Sequence, residues 1–216
     1  MKDNKRISVV LAGQGNTGKT SIFNYYTGSH QHTGNWAGKT IEKLEGTLYY
    51  KDYTIDVLDL PGIYSLTTLS VEELIAREYI IKHKPDVVIN IVDATNLERN
   101  LIFTLQLLEL ECPLIIALNM VDIAKKKGIE IDTGKLQEKF NAPVIPTIAK
   151  RGTGLTELMD KVIEVKENGH EPGMIRYGRE IESCVDELSA ELKNTGLLYS
   201  ERWIAIKLLE KDSEIT

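Results

Sequence analysis

Gly13-Gln14-Gly15-Asn16-Thr17-Gly18-Lys19-Thr20 matches the pattern G-x-x-x-x-G-K-[ST] and decides the fold. This phosphate loop lies between an apolar run, Ile7–Leu11, and a helical pattern, Ser21–Tyr26, which is the context that the motif requires. Its glycines let backbone N–H groups surround a phosphate, Lys19 neutralises the β- and γ-oxygens, and the Thr20 hydroxyl is a Mg²⁺ ligand. The residues expected to contact a nucleotide here are Gly13, Gly15, Asn16, Thr17, Gly18, Lys19, Thr20 and Ser21.

Apolar runs and helical periods alternate along most of the chain. Strands are predicted at Ile7–Leu11, Val87–Val92 and Leu114–Leu118, and helices at Ser21–Tyr26, Val71–Ile81, Leu97–Leu108 and Leu155–Val165. Together with the phosphate loop, this alternation predicts an α/β fold of the P-loop class, a mostly parallel sheet with helices on both faces. Thr40–Tyr50 and Tyr53–Leu58 predict an antiparallel hairpin at one edge of that sheet.

A cluster of helix and strand breakers, residues 168–173, marks a predicted domain boundary. We therefore expect one α/β domain over residues 1–168 and a small helical domain over residues 169–216. Ile181, Val185 and Leu188 follow a helical period in the second segment, and so do Ile204 and Leu208. Because two helices bury little apolar surface alone, the chain is expected to be part of a longer polypeptide.

Composition narrows the function classes. The 26 basic and 32 acidic residues give a net charge of −6, without the basic excess that a nucleic-acid surface needs, so no nucleic-acid partner is expected. Cys112 and Cys184 form no CxxC pair, which fits a reducing cytosol better than a disulfide framework. The apolar run near the N-terminus is too short for a membrane span.

A second motif, Asp59-Leu60-Pro61-Gly62, follows a predicted strand. Its carboxylate is placed where α/β folds gather ligands, so Asp59 is expected to hold Mg²⁺ through water. Gly62 would present its N–H to the γ-phosphate. The following segment, Ile63–Ser70, is therefore predicted to respond to that phosphate as a switch.

Two loops at later strand ends predict the base site. Asn119-Met120-Val121-Asp122 resembles the N-[KT]-x-D motif, in which the Asp122 carboxylate accepts from guanine N1–H and the exocyclic amine. Adenine has an acceptor at N1 and no 2-amino group, so it offers neither donor, and GTP is expected to be preferred over ATP. Thr147-Ile148-Ala149-Lys150 resembles the loop that closes over guanine with a backbone N–H, here assigned to Ala149, with Ile148 in place of the usual serine.

Several stretches together resemble the FeoB ferrous-iron transporters. The first switch contains Gly34-Asn35-Trp36-Ala37-Gly38-Lys39-Thr40, and residues 59–66 and 90–101 are also similar to that family. Residues 177–182 and 202–210 resemble the helical spacer that follows the FeoB G domain. The sequence departs from the family at Gly15 and Ala37, where proline is usual, and at Lys39, where a small apolar residue is usual.

The resemblance implies a mechanism of GTP hydrolysis. Ile63 stands where Ras-like enzymes carry a water-orienting glutamine, so catalysis is assigned to Asn16, Lys19 and Thr40. Asn16 is expected to hold K⁺ with the backbone carbonyls of Asn35 and Trp36. Thr40 is expected to join Thr20 and Asp59 as a Mg²⁺ ligand. An alternative is that the Lys39 ammonium stands in for K⁺.

The resemblance also implies partners and a location. The partners are GTP and GDP and a membrane transport domain of the same longer polypeptide, and a homo-oligomer is left open. The location is the cytoplasmic face of the membrane. His30 and His32 beside the first switch are interpreted as solvated rather than metal-binding. Two alternatives stay open: an RNA-associated GTPase of ribosome assembly or tRNA modification, and a nucleotide-binding switch with negligible hydrolysis.

Overall fold

A mostly parallel sheet forms the centre of the molecule in a computed structural model that describes residues 5–28, 30–66, 70–170, 173–193, 198–212 and 215. Its strands are β1 Lys5–Gly13, β2 Gln31–Asn35, β3 Glu42–Tyr50, β4 Tyr53–Asp59, β5 Val87–Asp93, β6 Leu114–Asn119 and β7 Val144–Thr147. Within the described residues they form one sheet in the order β2-β3-β4-β1-β5-β6-β7. In this order, the neighbouring strands β4, β1, β5, β6 and β7 pair in parallel, whereas β3 pairs antiparallel with both β2 and β4.

Helices cover both faces of this sheet. They are α1 Lys19–Thr27, α2 Val71–His83, α3 Leu97–Glu109, α4 Val121–Lys126, α5 Thr133–Phe140, α6 Leu155–Asn168, α7 Arg179–Glu191 and α8 Glu201–Glu210. One apolar cluster joins α1 and α6 to the sheet, and the other joins α2 and α3 to its opposite face. Central strands such as β5 and β6 are buried on both faces, which is why their sequences are continuous apolar runs. The predicted fold class is confirmed.

The predicted hairpin is confirmed as the antiparallel pair β3 and β4, but its predicted position was wrong. β2 pairs with the far side of β3 and forms the outer edge, with Gln31 opposite Gly46 and Asn35 opposite Glu42. β3 also begins at Glu42 rather than Thr40. The five residues of β2 are partly or fully exposed and polar, so no alternating apolar pattern could reveal this strand.

Helices α7 and α8 form the predicted helical pair and pack on the sheet domain through buried charges. Arg77 on α2 donates to Asp212 at 3.1 Å and lies 5.3 Å from the ring centre of the buried Trp203. Lys207 lies 3.5 Å from Glu109 on α3. Each buried charge has a partner, as the cost of desolvation requires. Among the described residues, no helix has both the length and the apolar composition to cross a bilayer.

Candidate nucleotide-binding site

The predicted motifs meet at one edge of the sheet. Gly13 ends β1, Asp59 ends β4, Asn119 ends β6 and Thr147 ends β7. Because these strands are parallel, their carboxyl ends lie side by side. This is the edge at which open α/β sheets bind ligands.

The phosphate loop turns tightly from β1 into α1. Gly18 has φ 93°, and a Cβ there would lie 2.3 Å from Asn119 Nδ2, so only glycine fits. Asn16 is also left-handed, with φ 66°. The buried Thr17 hydroxyl donates to the Gln14 carbonyl at 3.0 Å and closes the loop. The loop is thus shaped before any phosphate binds, and α1 begins at Lys19 with its N-terminus directed to the same place.

Lys19 and Asp59 form a buried ion pair in the centre of the site. The Lys19 ammonium lies 2.5 Å from Asp59 Oδ1 and 2.5 Å from the Leu60 carbonyl oxygen. The Thr20 hydroxyl lies 3.4 Å from Asp59 Oδ2. Burial raises the pKa of Asp59, and the Lys19 ammonium opposes that rise. The oxygens of Thr20 and Asp59 form a hard donor set that suits Mg²⁺, and Lys19 must leave Asp59 to reach a phosphate.

Asn119 joins the phosphate loop to the loop after β7. Its side chain is 2% exposed, and its amide donates to the Thr17 carbonyl at 2.8 Å. Its carbonyl oxygen accepts from the Ala149 N–H at 2.9 Å and from the Thr147 hydroxyl at 3.3 Å. Asn119 therefore supports the base site mechanically.

The Ala149 contact differs from the expectation. Its N–H was predicted to close over guanine, but in this structure it donates to Asn119, because the turn of the loop directs it inward. The neighbouring Ile148 N–H donates to the Thr153 carbonyl at 3.0 Å. Lys150, next in the loop, is exposed.

Asp122 is the residue that was predicted to read the base. Met120 has φ 63° and caps α4, which puts Asp122 in the first turn of that helix. The Asp122 carboxylate is half-buried and takes no hydrogen bond or ion pair from any described residue. It is thus available for the two donors that guanine offers.

The second switch lies against the phosphate loop. Ile63 is buried, and its N–H donates to the Gly13 carbonyl at 3.3 Å. A Cβ on Gly62 would lie 3.3 Å from Gly15 Cα, so the two backbones approach closely. The burial of Ile63 fits the expectation that it orients no water. Residues 67–69 of the predicted switch lie outside the described residues.

The first switch is not brought to the phosphate loop in this structure. Thr40 is exposed and makes no hydrogen bond to the described residues, so it does not join Thr20 as predicted. The Trp36 carbonyl, expected to face K⁺, accepts from the Lys39 N–H at 2.9 Å. Asn35, the other expected K⁺ ligand, is an exposed residue at the end of the edge strand β2. The predicted ligand set is therefore not assembled in this conformation.

Trp36 holds the first switch on α2 instead. Its ring packs edge to face on Tyr79, with centroids 5.4 Å apart, and the Lys43 ammonium lies 5.3 Å from its centre. The indole N–H is buried and has no acceptor in the described part of the chain. The docked conformation leaves one hydrogen bond unmade, which lowers the cost of undocking.

Two further predictions concern single residues. The exposed Asn16 side chain, which was predicted to hold K⁺, makes no hydrogen bond with the described residues. The other concerns His30 and His32: over the described ranges, no three His, Cys, Asp or Glu side chains converge on one point.

The sequence did not reveal every residue that shapes this site. The buried Gln14 side chain donates to the Arg99 carbonyl at 2.9 Å, although Gln14 occupies a variable position of the motif. Tyr64 stacks with Arg99 across the second switch. These contacts depend on tertiary packing, and no local pattern in the sequence signals them.

Comparison with known proteins agrees with this geometry. The family model described as "Ferrous iron transport protein B" matches residues 7–162. The chain belongs to the FeoB family. The model of the FeoB cytosolic helical domain matches residues 177–216, which covers α7 and α8. FeoB membership favours the transporter hypothesis over the RNA-associated alternative.

FeoB relatives are similar along the whole chain. The Fe(2+) transport protein A/Fe(2+) transporter FeoB fusion protein of Porphyromonas gingivalis is 46% identical over 216 residues, which cover 97% of this chain and 26% of that protein. The Fe(2+) transporter FeoB of Escherichia coli K12 is 42% identical over 212 residues, 96% of this chain and 27% of that protein. The chain thus spans about a quarter of the length of these relatives.

Solved FeoB structures share the fold. The apo cytosolic domain of the T. maritima FeoB iron transporter matches with a TM-score of 0.92 at 40% identity, covering 97% of this chain and 83% of that one. The GMPPNP form of the same domain matches with a TM-score of 0.91 at 40% identity and the same coverage.

Proposed function

We propose that this chain binds GTP with Mg²⁺ and hydrolyses it to GDP and phosphate, as the cytosolic regulatory domain of a ferrous-iron membrane transporter. The observation that carries the proposal is one sheet edge that holds both a preformed phosphate loop and the unpaired Asp122 carboxylate, linked through Asn119. Residues 1–168 would be the G domain and residues 169–216 part of the helical spacer.

The transport role rests on the family. Both relatives are named Fe(2+) transporters and extend well beyond this chain. The partner is then the membrane transport domain of the same polypeptide, and the chain works at the cytoplasmic face of the membrane. Self-association of the domain is compatible with this arrangement, and a nucleic-acid partner is not proposed.

Guanine selectivity follows from one carboxylate. Guanine presents N1–H and an exocyclic amine to Asp122, whereas adenine leaves the charge without a partner. A lost hydrogen bond to a charged group costs about 1.5–3 kcal/mol. GTP should therefore bind at least tenfold more tightly than ATP.

Phosphate binding exchanges one ion pair for another. Lys19 would leave Asp59 for the β- and γ-phosphate oxygens, and Asp59 and Thr20 would then hold Mg²⁺ with Thr40, once the first switch has moved. The metal ion supplies charge neutralisation of the phosphates. Gly62 is held against Gly15, where its N–H can donate to the γ-phosphate.

A monovalent cation completes the proposal. Asn16 leaves its side chain without a partner among the described residues, beside the phosphate loop, and would hold K⁺ with the carbonyls of Asn35 and Trp36. K⁺ supplies positive charge where negative charge develops between the phosphates. Hydrolysis would then be slow and stimulated by potassium. Lys39, exposed in the first switch, is the competing source of that charge.

Single-turnover phosphate release from GTP and ATP, in Na⁺ and in K⁺, tests these statements. The wild type should release phosphate from GTP, faster in K⁺, and Asn16→Ala should remove the cation dependence while GDP affinity stays nearly unchanged. No release from GTP would leave only a nucleotide-binding switch. Equal rates in Na⁺ and K⁺, with loss of activity in Lys39→Ala but not in Asn16→Ala, would show that the Lys39 ammonium supplies the positive charge in place of K⁺.

A further inference from the structure

Helix α3 supports both the phosphate loop and the second switch. The Gln14 side chain, 4% exposed, donates to the Arg99 carbonyl at 2.9 Å, which fixes the first turn of α3 to the phosphate loop. About two turns further along α3, the Gln106 side chain accepts from the Leu66 N–H at 2.7 Å. Helix α3 therefore holds the second switch and the phosphate loop in a fixed relation to each other.

Arg99 makes the remaining contact between α3 and the switch. Its guanidinium carbon lies 4.7 Å from the centre of the Tyr64 ring. The guanidinium itself forms no hydrogen bond or ion pair with any residue that the structure describes. The Tyr64 hydroxyl in turn lies 3.8 Å from the place of a Cβ on Gly15. The guanidinium and the ring thus connect α3 with the part of the switch that lies beside the phosphate loop.

We propose that Arg99 is a positioning residue for GTP hydrolysis, which acts by holding Tyr64 against the phosphate loop. This inference rests on the proposed function. Gly62 lies two residues before Tyr64, and Ile63 between them is anchored inward by burial and by its bond to Gly13. Tyr64 fixes the other side of this short segment. Together the two anchors keep the Gly62 backbone beside Gly15, where a γ-phosphate would be bound.

The strength of the contact suits a switch. Tyr64 is 52% exposed, and an exposed cation–π pair is weak enough to break when the segment moves. Such a pair still changes the occupancy of the held conformation by about two- to fivefold. Since GDP has no γ-phosphate, the effect should fall on hydrolysis and not on GDP affinity.

Single-turnover phosphate release and the affinity for a fluorescent GDP analogue test the proposal on the 216-residue chain. Arg99→Ala and Tyr64→Leu should each slow release by about two- to fivefold, with GDP affinity unchanged and the unfolding temperature lowered by no more than about 1–4 °C. The double variant should be no slower than either single variant, because both remove the same contact. Arg99→Lys, which keeps a cation, should retain most of the rate. Arg179→Ala, an exposed arginine of α7, is the matched control.

Three results would overturn this inference and leave the proposed function standing. They are phosphate release by Arg99→Ala at the wild-type rate, losses of rate that multiply in the double variant, and a loss of GDP affinity as large as the loss of rate. Multiplying losses would mean that Arg99 acts without Tyr64. Absence of release in the wild type would overturn the proposed function and this inference together.

Discussion

The two halves of the nucleotide site differ in how far they are built in this structure. The base half, formed by Asn119, Asp122 and Ala149, is held by buried hydrogen bonds. The phosphate-sensing half, formed by Thr40 and the two switches, is partly exposed, with its first switch docked on α2. Under the proposed function, base recognition is therefore prepared in advance, whereas Thr40 and the first switch still have to be brought to the γ-phosphate.

The difference has a physical cause in the sheet. Asn119 follows a central strand that is buried on both faces, so its polar groups must be satisfied by protein. The first switch includes β2, an exposed edge strand with a single neighbour, β3. Few buried contacts oppose its rearrangement, which is typical of segments that move.

The largest effect is expected in the base half. Asp122→Asn should weaken GTP binding by about 10- to 150-fold, because a charged acceptor is lost, and should favour xanthine nucleotides, whose C2 carbonyl complements an amide. Titration with GTP, xanthosine triphosphate and ATP measures this. Wild-type protein that binds ATP as tightly as GTP would show that Asp122 does not read the base.

Asn119→Ala tests whether the hydrogen bonds of the base half stabilise the folded protein. It leaves the buried Thr17 carbonyl and Ala149 N–H without partners, at an expected cost of about 1–3 kcal/mol in the free energy of unfolding. Urea denaturation measures the change, with Asn168→Ala at the end of α6 as the control. An unchanged unfolding midpoint would mean that the base half is not held by Asn119.

A smaller effect is expected from Trp36→Ala. Removing the ring abolishes the contact with Tyr79, and an edge-to-face pair contributes about 0.5–1.5 kcal/mol. Amide exchange of residues 31–41 in the nucleotide-free protein should become faster, as it should in Tyr79→Leu. Tyr49→Ala, which removes an exposed ring of β3, is the control. Unaltered exchange in both variants would contradict the docked first switch.

The sequence predicted what depends on local pattern. The phosphate loop, the central strands and the position of Asp122 each follow from spacing or from an apolar run. β2 could not be found because its residues are polar, and α5 was missed because none of its residues is buried. The ion pair of Lys19 with Asp59 joins residues that are far apart in sequence, and so does the contact of Arg99 with Tyr64. Such pairs are decided by tertiary packing.

Hydrogen exchange in the GDP complex and in the complex with a non-hydrolysable GTP analogue tests the central claim most directly. We expect protection to increase over residues 28–40 and 62–70 in the GTP-like complex, because Thr40 and Gly62 are the groups placed to sense the γ-phosphate. Residues 119–122 and 147–150 should exchange alike in both complexes. Identical exchange over both switch segments, or a change confined to the base half, would contradict the account.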